Sequence, residues 1–200
     1  MANAVQILAI TVTALLSMLQ LITCSCTYSS SNCAIKLYDE PDQGGRVLVV
    51  REQNADLVND DFDDEVRSFR VFGPCKWVLY TDPDFQGTAH IYKEGAHNVP
   101  PTPATLSSLR ALPPSGTIAI ALFDDVHYKG RMEIFCEETN TQSLQDQDFD
   151  DSAKSAISIE GKWGLYADID FTGDSDTLDA GVRRPDLGSL QVRVSSVKLL

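Results

Sequence analysis

Positively charged side chains are scarce in this sequence of 200 residues. Lysine and arginine number 16 against 29 aspartates and glutamates, which gives a formal net charge of −13 at pH 7. A chain this acidic repels the phosphates of nucleic acids and anionic membrane surfaces, and it attracts cations and basic partners. The composition therefore argues against nucleic acid as a partner, although a merely soluble surface would carry the same charge.

Signatures of catalysis are also missing. The three histidines, His90, His97 and His127, are scattered, and none falls in the spacing of a zinc site. The sequence contains no nucleophile elbow, no P-loop and no dinucleotide-binding fingerprint. We interpret the histidines as structural and predict that the protein is not an enzyme.

Long hydrophobic runs are confined to the N-terminus. Residues 1–26 contain no charged side chain, and residues 7–22 are nearly all apolar. That length suits the core of a signal peptide better than a membrane span of roughly 20 apolar residues. The sequence predicts a signal peptide over residues 1–26, cleaved after Ser25 or Cys26, and a secreted, extracellular protein with no membrane span. An uncleaved anchor is the alternative.

An aromatic residue, a second aromatic five positions later and a glycine seven positions later recur along the rest of the chain. The four copies start at Tyr38, Tyr80, Phe123 and Tyr166, with spacings of 42, 43 and 43 residues. Such a period indicates a structural repeat. The second aromatics are Phe85, Tyr128 and Phe171, with Gln43 instead in the first copy, and the glycines are Gly45, Gly87, Gly130 and Gly173.

Each first aromatic is preceded by the pattern of a β-strand. The residues three and one positions before it are apolar, while the residue between them varies from lysine to glycine. This alternation predicts strands with one buried face. Because no segment has convincing helical periodicity, the sequence predicts an all-β fold. The eight apolar residues are Ile35, Leu37, Trp77, Leu79, Ile120, Leu122, Trp163 and Leu165.

The conformational needs of a folded hairpin explain why the glycine and a later serine recur in each repeat. Glycine supplies a backbone conformation that residues with a Cβ resist, so the hairpin after the first aromatic can fold over onto the sheet. A serine about thirty residues later can hydrogen-bond hairpin backbone groups that would otherwise be unpaired. A hairpin, a further strand and a returning strand form a Greek key. The four serines are Ser68, Ser108, Ser155 and Ser196.

The five cysteines divide between the predicted leader and the repeats. Cys33 and Cys75 lie at matching positions of the first two repeats, so a Cys33–Cys75 disulfide is reasonable in a secreted protein, although sequence does not fix the connectivity. Cys24 and Cys26 are expected to leave with the leader or to lie at its edge. Cys136 is then left over, as a buried or idle thiol or as one that pairs with another chain.

The repeated hairpin followed by a serine resembles the Greek-key motif of the βγ-crystallin family. The resemblance covers residues 33–200 and implies two βγ-crystallin-like domains, each a two-sheet Greek-key sandwich of eight strands. The domains could pair within one chain or exchange between chains, as a monomer or a homodimer. The implied boundaries are 33–112 for domain 1 (motifs 33–73 and 75–112), 113–116 for a linker, PPSG, and 117–200 for domain 2 (motifs 117–160 and 161–200).

Members of this family that bind calcium carry two Asn or Asp residues, two variable residues, Ser or Thr, and then the structural serine. The four corresponding stretches are DDEVRS (63–68), PATLSS (103–108), DDSAKS (150–155) and QVRVSS (191–196), and none is complete. The first and third keep both acids but have Arg67 and Lys154 at the fifth place. The second and fourth keep Ser107 and Ser195 but lack the acids.

The resemblance implies that each calcium site is shared between two motifs, so the complementary losses leave one site per domain. Oxygen ligands of this mixed kind suit Ca²⁺. The opposite position in each domain would hold Arg67 or Lys154, which repels a second ion and can pair with nearby acids instead. The implied ligands are Asp63, Asp64 and Ser107 with a carbonyl near Asp82, and Asp150, Asp151 and Ser195 with a carbonyl near Asp168.

The predicted function is that of a secreted, calcium-binding extracellular module. The alternative is a non-catalytic structural or interaction protein, such as an inhibitor, toxin or defence scaffold, whose calcium sites are degenerate and whose partner is an extracellular protein. The leader argues against a lens role, because lens crystallins accumulate inside cells.

Overall fold

The computed structural model describes residues 32–99, 105–136 and 143–200. The predicted signal peptide lies outside these ranges, as do Pro103 and Ala104 of the second calcium-type stretch. The described chain consists of strands and short 3₁₀ turns and contains no α-helix. None of its helical turns has the length and apolar character needed to span a bilayer.

The described ranges contain fifteen strands and six 3₁₀ turns. The strands are β1 (Ala34–Tyr38), β2 (Val47–Val50), β3 (Gln53–Asn54), β4 (Ser68–Phe72), β5 (Cys75–Asp82), β6 (Gln86–Tyr92), β7 (Gly95–Asn98), β8 (Ser108–Pro114), β9 (Ala119–Phe123), β10 (Met132–Cys136), β11 (Ser155–Glu160), β12 (Trp163–Asp168), β13 (Thr172–Leu178), β14 (Arg183–Arg184) and β15 (Ser196–Leu199). The 3₁₀ turns are Pro41–Gln43, Leu57–Asp60, Val126–Tyr128, Leu144–Gln147, Ile169–Phe171 and Gly188–Leu190.

The strands form four antiparallel sheets, two in each half of the chain. Their orders are β2-β1-β4-β7 and β3-β8-β5-β6 in the first half, and β10-β9-β11-β14 and β13-β12-β15 in the second. In each half a strand from one motif joins the sheet of the other, since β7 pairs with β4, β3 with β8, and β14 with β11. This exchange interlocks the motifs as Greek keys, and the predicted two-domain all-β sandwich fold is confirmed. The first half has eight strands; the second has seven within the described residues, which omit 137–142.

The apolar residues of the alternating pattern lie in the interior, with exposed fractions of at most 4%. Those of β1 and β5 belong to a core whose members lie between Ile35 and Leu109, and those of β9 and β12 to a core between Ile120 and Val197. Each half therefore buries its own apolar surface between its two sheets.

The prediction of a single buried face is wrong for β5 and β9. All five residues of β9 are buried, and Val78 and Tyr80 on the second face of β5 are fully buried. These side chains form a third cluster, in which the sheet of the second motif packs against the sheet of the third. The continuous apolar runs WVLY and AIALF carried this signal, because a strand buried on both faces lacks polar alternation. The two halves thus pair within one chain.

A buried arginine joins the two halves. Arg110 is 2% exposed, and it donates from Nε to Tyr80 Oη (2.8 Å), from Nη1 to the Gly130 carbonyl (2.9 Å) and from Nη2 to the Tyr128 carbonyl (3.1 Å). Tyr80 Oη also donates to the Tyr128 carbonyl (2.6 Å). Burial raises the pKa of Tyr80 to about 12 despite the neighbouring guanidinium, so this phenol stays protonated and keeps donating.

All four hairpins share one backbone conformation. In each, two consecutive residues such as Asp84 and Phe85 have positive φ, and the glycine two positions later has φ between +72° and +78°. In the second, third and fourth hairpins the two aromatic rings meet edge to face, with centroids 5.7–5.8 Å apart. The first hairpin has Gln43 in place of the second ring. Tyr80 and Gly87 therefore lie in one folded-over ribbon, as predicted.

Replacing Gly130 with alanine should lower the free energy of unfolding by about 2 kcal/mol, because alanine is costly at a left-handed φ and its Cβ needs room. The added Cβ would collide with Asp124 Oδ1, which accepts the Arg131 N–H at 2.7 Å. Gly181 is the matched control, since its φ of +74° is the same but nothing lies within 4 Å of its Cβ position. Gly181→Ala should therefore lose only about 1 kcal/mol. Denaturant unfolding measures the free energy of unfolding of both variants. Equal losses would contradict the expected collision between the added Cβ and Asp124.

One prediction about the cysteines agrees with the structure, and another is wrong. Cys33 and Cys75 form a disulfide. Cys136 is also disulfide-bonded, so the expectation of a leftover thiol is wrong.

The connection between the halves follows directly on strand β8. Strand β8 continues to Pro114, two residues into the PPSG stretch. The Ser115 N–H then donates to the Pro74 carbonyl (3.0 Å), which holds the connection against the first half.

Candidate metal centre

A serine closes each folded hairpin. Ser155 Oγ donates to the Asp125 carbonyl (2.6 Å) and accepts from the Tyr128 N–H (3.0 Å). The same two bonds recur in the other three motifs at 2.6–2.7 Å and 2.9–3.1 Å. The four serines are fully buried, so each hydroxyl pairs two backbone groups that would otherwise be unsatisfied.

The residue directly before each of these serines is fixed against the first aromatic of its motif. Its N–H donates to that aromatic's carbonyl at 2.8–3.0 Å in all four motifs. In the second motif the side chain is also held, because Ser107 Oγ donates to the Thr81 carbonyl (2.9 Å). The hairpin clamp thereby positions the fifth residue of each calcium-type stretch: Arg67, Ser107, Lys154 and Ser195.

The acidic loops of the first and third motifs dock against the serine strands of their partner motifs. In the second half, the Asp151 N–H donates to the Val194 carbonyl (3.2 Å), and Ser195 Oγ donates to Asp151 Oδ1 (3.2 Å). In the first half, the equivalent backbone bond joins the Asp64 N–H to the Leu106 carbonyl (3.4 Å). The acids and the hydroxyls that the sequence assigned to shared sites thus come from adjoining segments.

One carboxylate oxygen in each acidic loop is buried without a partner. Asp63 Oδ1 and Asp150 Oδ1 occupy equivalent positions, and neither has a hydrogen-bond partner. The other oxygen of Asp150 accepts from Gln145 Nε2 (3.1 Å). Burying an unpaired carboxylate oxygen is costly. A hard cation beside it would supply the missing interaction, so these residues fit Ca²⁺.

Negative charge accumulates around Asp64. Burial and the carboxylates of Asp63, Glu65 and Asp82 raise the pKa of Asp64 above its ordinary value, and the nearby Arg67 opposes this only in part. Asp82 belongs to the second motif, so both motifs contribute acids to this region. A bound cation would relieve the repulsion.

The backbone of these loops is left-handed at the second acid. Asp64 and Asp151 have φ of 54° and 51°, and Val192 at the same place in the fourth motif has φ of 50°. Aspartate tolerates this region far better than a β-branched residue does. The fourth motif therefore keeps the loop conformation after losing the carboxylate.

The cations at the two opposite positions bind differently. Arg67 Nη1 donates to the Asp64 carbonyl (2.7 Å) and the Val66 carbonyl (3.4 Å), so it holds its own loop through the backbone and not through an acid. Lys154 lies near Asp125. Burial alone would raise the pKa of Asp125, but a hydrogen bond from Lys129, together with the charges of Lys129 and Lys154, holds it below its ordinary value. Among the described residues no ion pair joins Arg67 or Lys154 to an acid: Arg67 binds backbone carbonyls, and Lys154 acts on Asp125 through its charge alone.

The carbonyls expected to complete the sites already have one partner each. Those of Asp82 and Asp168 accept the hydroxyls of Ser108 and Ser196 at 2.6 and 2.7 Å. A carbonyl oxygen has two lone pairs, so the bond from the hydroxyl does not by itself exclude a cation there. Within the described ranges, no three His, Cys, Asp or Glu side chains are grouped so that they could hold a metal by themselves. A site here therefore depends on hydroxyl and carbonyl oxygens as well as on the acids.

Sequence analysis missed the residue that follows the first aromatic. Its side chain accepts the N–H of the residue after the glycine in three hairpins: Asp39 in the first (2.7 Å), Thr81 in the second (2.9 Å) and Asp124 in the third (2.7 Å). The fourth hairpin has Ala167 there. The recurrence of Asp, Thr and Asp at this offset was the available signal, because short polar side chains cap nearby backbone groups.

A cleft of ≈ 570 Å³ lies between the second and third hairpins. Arg110, Asp124, Asp125 and Lys154 line it. Arg110 binds hairpin carbonyls, Asp124 accepts a backbone N–H, and Asp125 pairs with Lys129 at 3.1 Å. These contacts give three of the four side chains structural roles. That the protein is not an enzyme stays a prediction.

Comparison with known proteins gives consistent matches. The Beta/Gamma crystallin family model matches residues 34–111. Gamma-crystallin D of Rattus norvegicus is 30% identical over 137 residues, which cover 66% of this chain and 77% of the rat protein. Gamma-crystallin D of Homo sapiens is 28% identical over 170 residues, covering 82% and 95%. The structure of Geodin, a beta-gamma crystallin from Geodia cydonium, aligns with a TM-score of 0.64 over 84% of this chain and 99% of Geodin; at 18% identity this likeness concerns the fold alone.

Proposed function

Because the chain belongs to the Beta/Gamma crystallin family, we propose that it is a secreted, calcium-binding extracellular module with one Ca²⁺ site in each half. The observation that carries the proposal is the buried, unpaired carboxylate oxygen that recurs at equivalent positions, Asp63 Oδ1 and Asp150 Oδ1. A native fold rarely leaves such an oxygen unsatisfied, and here two separate loops do so.

Each proposed site combines the acids of one motif with the hydroxyl of its partner motif. When bound, Ca²⁺ supplies the positive charge that offsets the repulsion among the carboxylates, and it links the two motifs of a half. Because the assembled site belongs to the native state, bound calcium stabilises the fold by mass action. The proposed ligands are Asp63, Asp64 and Ser107 with a carbonyl near Asp82, and Asp150, Asp151 and Ser195 with a carbonyl near Asp168.

Secretion is supported by the cysteines. Cys33, Cys75 and Cys136 are all disulfide-bonded, and such bonds persist in oxidising compartments. The uncharged segment over residues 1–26 supports the same conclusion, because it has the length of a signal peptide and its apolar run over residues 7–22 suits the core of one.

We further propose domain boundaries at residues 33–112 and 117–200. The two hydrophobic cores support this division, because one lies between Ile35 and Leu109 and the other between Ile120 and Val197. Each proposed domain contains one candidate calcium site.

A second candidate function is that of a non-catalytic interaction scaffold with degenerate calcium sites. The contact that favours it is the guanidinium of Arg67, which binds the carbonyls of Asp64 and Val66 and so holds the first acidic loop without a metal. On this view the extracellular partner is a protein, and chelators do not affect its binding.

Calorimetric titration of the mature protein with calcium should give two sites per chain. Asp64→Ala and Asp151→Ala should each abolish one site, because each removes a carboxylate from one shared site and leaves the other site intact. The heat of binding and the stoichiometry are the measurements.

Asp61→Ala and Asp148→Ala are the matched controls. These residues lie in the same loops and have φ of 56° and 52°, so their substitution has the same charge change and a similar backbone cost. Both controls should retain two sites. The absence of heat in millimolar calcium would refute the proposal. So would controls that lose as many calcium sites as the Asp64→Ala and Asp151→Ala variants do.

A further inference from the structure

An arginine directly after the hairpin glycine reaches the acidic loop in the first and third motifs. Arg131 Nη1 donates to the Asp148 carbonyl (2.8 Å), and its Nη2 donates to the Gln147 carbonyl (2.9 Å). Arg46 Nη2 donates to the Asp61 carbonyl (3.2 Å). These carbonyls lie where the 3₁₀ turn of each loop ends. Each of these contacts, which we call an arginine clasp, therefore holds its loop just before the acids of the calcium-type stretch.

The guanidinium of each clasp also covers the aromatic ring that precedes the acids. Arg131 lies 5.2 Å from the centroid of the Phe149 ring, and Arg46 lies 5.1 Å from that of Phe62. A cation over the face of a ring is attracted to it, and both rings are buried. The next residue in each motif is the aspartate whose Oδ1 is buried without a partner. The clasp thus fixes the residue directly before the buried carboxylate.

The clasp accompanies the acids. The second and fourth motifs, which lack the acids, have Thr88 and Asp174 directly after the glycine. In the fourth motif the contact is reversed, because Arg193 of the loop donates to Asp174 of the hairpin (2.9 Å). The hairpin thus supplies a cation to an acidic loop and an acid to a loop that carries an arginine, as attraction between opposite charges requires. All four hairpins share one conformation, so the folded hairpin itself does not need the clasp.

We propose that Arg131 and Arg46 are positioning residues for the calcium sites, and that they hold the acidic loops in the conformation that presents the carboxylates before calcium binds. The inference rests on the calcium-binding function proposed above. A guanidinium has no acceptor atom, so neither arginine would contact the ion, and each acts through the backbone of its loop. A loop that is ordered in advance loses less conformational freedom on binding, and its affinity is higher for that reason.

Positioning and charge predict opposite effects on calcium affinity. A positive charge near the carboxylates repels the ion, so removing the arginine would strengthen binding if charge were its only effect. Loss of positioning weakens binding instead. Arg131 gives the clearer test of the two, because it binds two carbonyls of its loop, whereas Arg46 binds one and is also paired with Asp39 at 2.6 Å.

Calorimetric titration of the full mature protein with calcium tests the role of Arg131, in an Asp64→Ala background in which only the second-half site is expected to bind. Arg131→Met should weaken that site by about 10-fold, as the loss of a partner that orients metal ligands does. Arg131→Lys should lose affinity too, because lysine keeps the charge but has no two-nitrogen fork with which to bind both carbonyls.

Arg184→Met is the matched control for the lost charge. The side chains of Arg184 and Arg131 are 45% and 41% exposed, and they lie at opposite edges of one sheet, since Arg131 directly precedes β10 and Arg184 belongs to β14. The substitution removes one positive charge and an exposed ion pair with Asp176 (3.6 Å). It should leave the calcium affinity unchanged.

Hydrogen exchange in chelator measures the positioning without the metal. The Asp151 N–H donates to the Val194 carbonyl, so its exchange rate reports whether the acidic loop is docked. In Arg131→Met this amide should exchange faster than in the wild type, by a larger factor than the amides of β9, because the loop loosens without the core opening. Arg184→Met should show no such difference.

An Arg131→Met variant that binds calcium as tightly as the parent protein, or more tightly, would overturn the inference. So would an Arg131→Lys variant with unchanged affinity, because charge and not positioning would then be the cause. Equal acceleration at Asp151 and at β9 would reduce Arg131 to a general stabilising role and overturn it as well. A wild-type protein that takes up no calcium would instead refute the proposed function, and the inference with it, and the titration of the wild type identifies that case.

Discussion

Replacing Arg110 with methionine is expected to lower the free energy of unfolding by about 3 kcal/mol, because it leaves buried hydrogen-bond acceptors without a donor. The side chain makes three hydrogen bonds, two of them to carbonyls of the opposite half. Tyr80 Oη still donates to the Tyr128 carbonyl in the variant, so the Gly130 carbonyl is the group that loses its side-chain donor. Methionine retains much of the apolar packing, which isolates the hydrogen-bond loss from a cavity effect. Denaturant unfolding followed by fluorescence of Trp77 and Trp163 measures the change.

Lys198 provides the control for Arg110. It lies two residues after the clamp serine of the fourth motif, as Arg110 does in the second, but it is only partly buried and contacts the Phe171 ring from 5.2 Å. Lys198→Met should change the stability by less than about 0.5 kcal/mol, as most surface substitutions do. If Arg110→Met were as mild as Lys198→Met, Arg110 would not be a joint between the halves.

Removing the Cys33–Cys75 disulfide is expected to cost about 4 kcal/mol, because the bond closes a long loop in the unfolded chain. The two cysteines are 42 residues apart and both are buried. The double variant Cys33→Ala and Cys75→Ala avoids placing new polar groups in that interior. Denaturant unfolding of the variant against the wild type, both without reductant, measures the loss.

Cys136 separates this effect from general reduction. Because Cys136 is in a second disulfide, reductant should destabilise the wild type and should further destabilise the double variant. If the double variant were as stable as the oxidised wild type, the Cys33–Cys75 disulfide would not stabilise the fold by closing this loop. If reductant had no further effect on the double variant, the second bond would contribute nothing to stability.

The hairpins and their serine clamps could be predicted because each depends on a residue type at a fixed offset. Gly87 and Ser108 belong to different strands, yet each fills a local requirement, one for positive φ and one for a short hydroxyl donor. Such requirements recur with the repeat and so are visible in the sequence. The alternation that buries Trp77 and Leu79 is equally local.

The contacts between motifs were harder to predict because they depend on which sheets meet. From the sequence alone, Arg110 would be expected at the surface. It is a buried hydrogen-bond donor because it binds the third hairpin, twenty residues later in the chain. The exchange of β3 and β7 between sheets involves strands too short to carry a pattern of their own. The family resemblance led us to expect the acidic loops beside the serines of the partner motifs, because each motif lacks what its partner keeps; that they share calcium sites stays a prediction. The buried oxygens of Asp63 and Asp150 were not predictable, since burial of a single atom depends on the packed loop.

The most direct test of the calcium proposal is the unfolding temperature of the mature protein, measured first in chelator and then at rising calcium concentration. The account predicts a continuous rise, since each site contributes about 2.7 kcal/mol when calcium is one hundred times its dissociation constant. The rise should disappear when Asp64→Ala and Asp151→Ala are combined and should persist when Asp61→Ala and Asp148→Ala are combined. An unfolding temperature that stays the same from chelator to millimolar calcium would contradict the account.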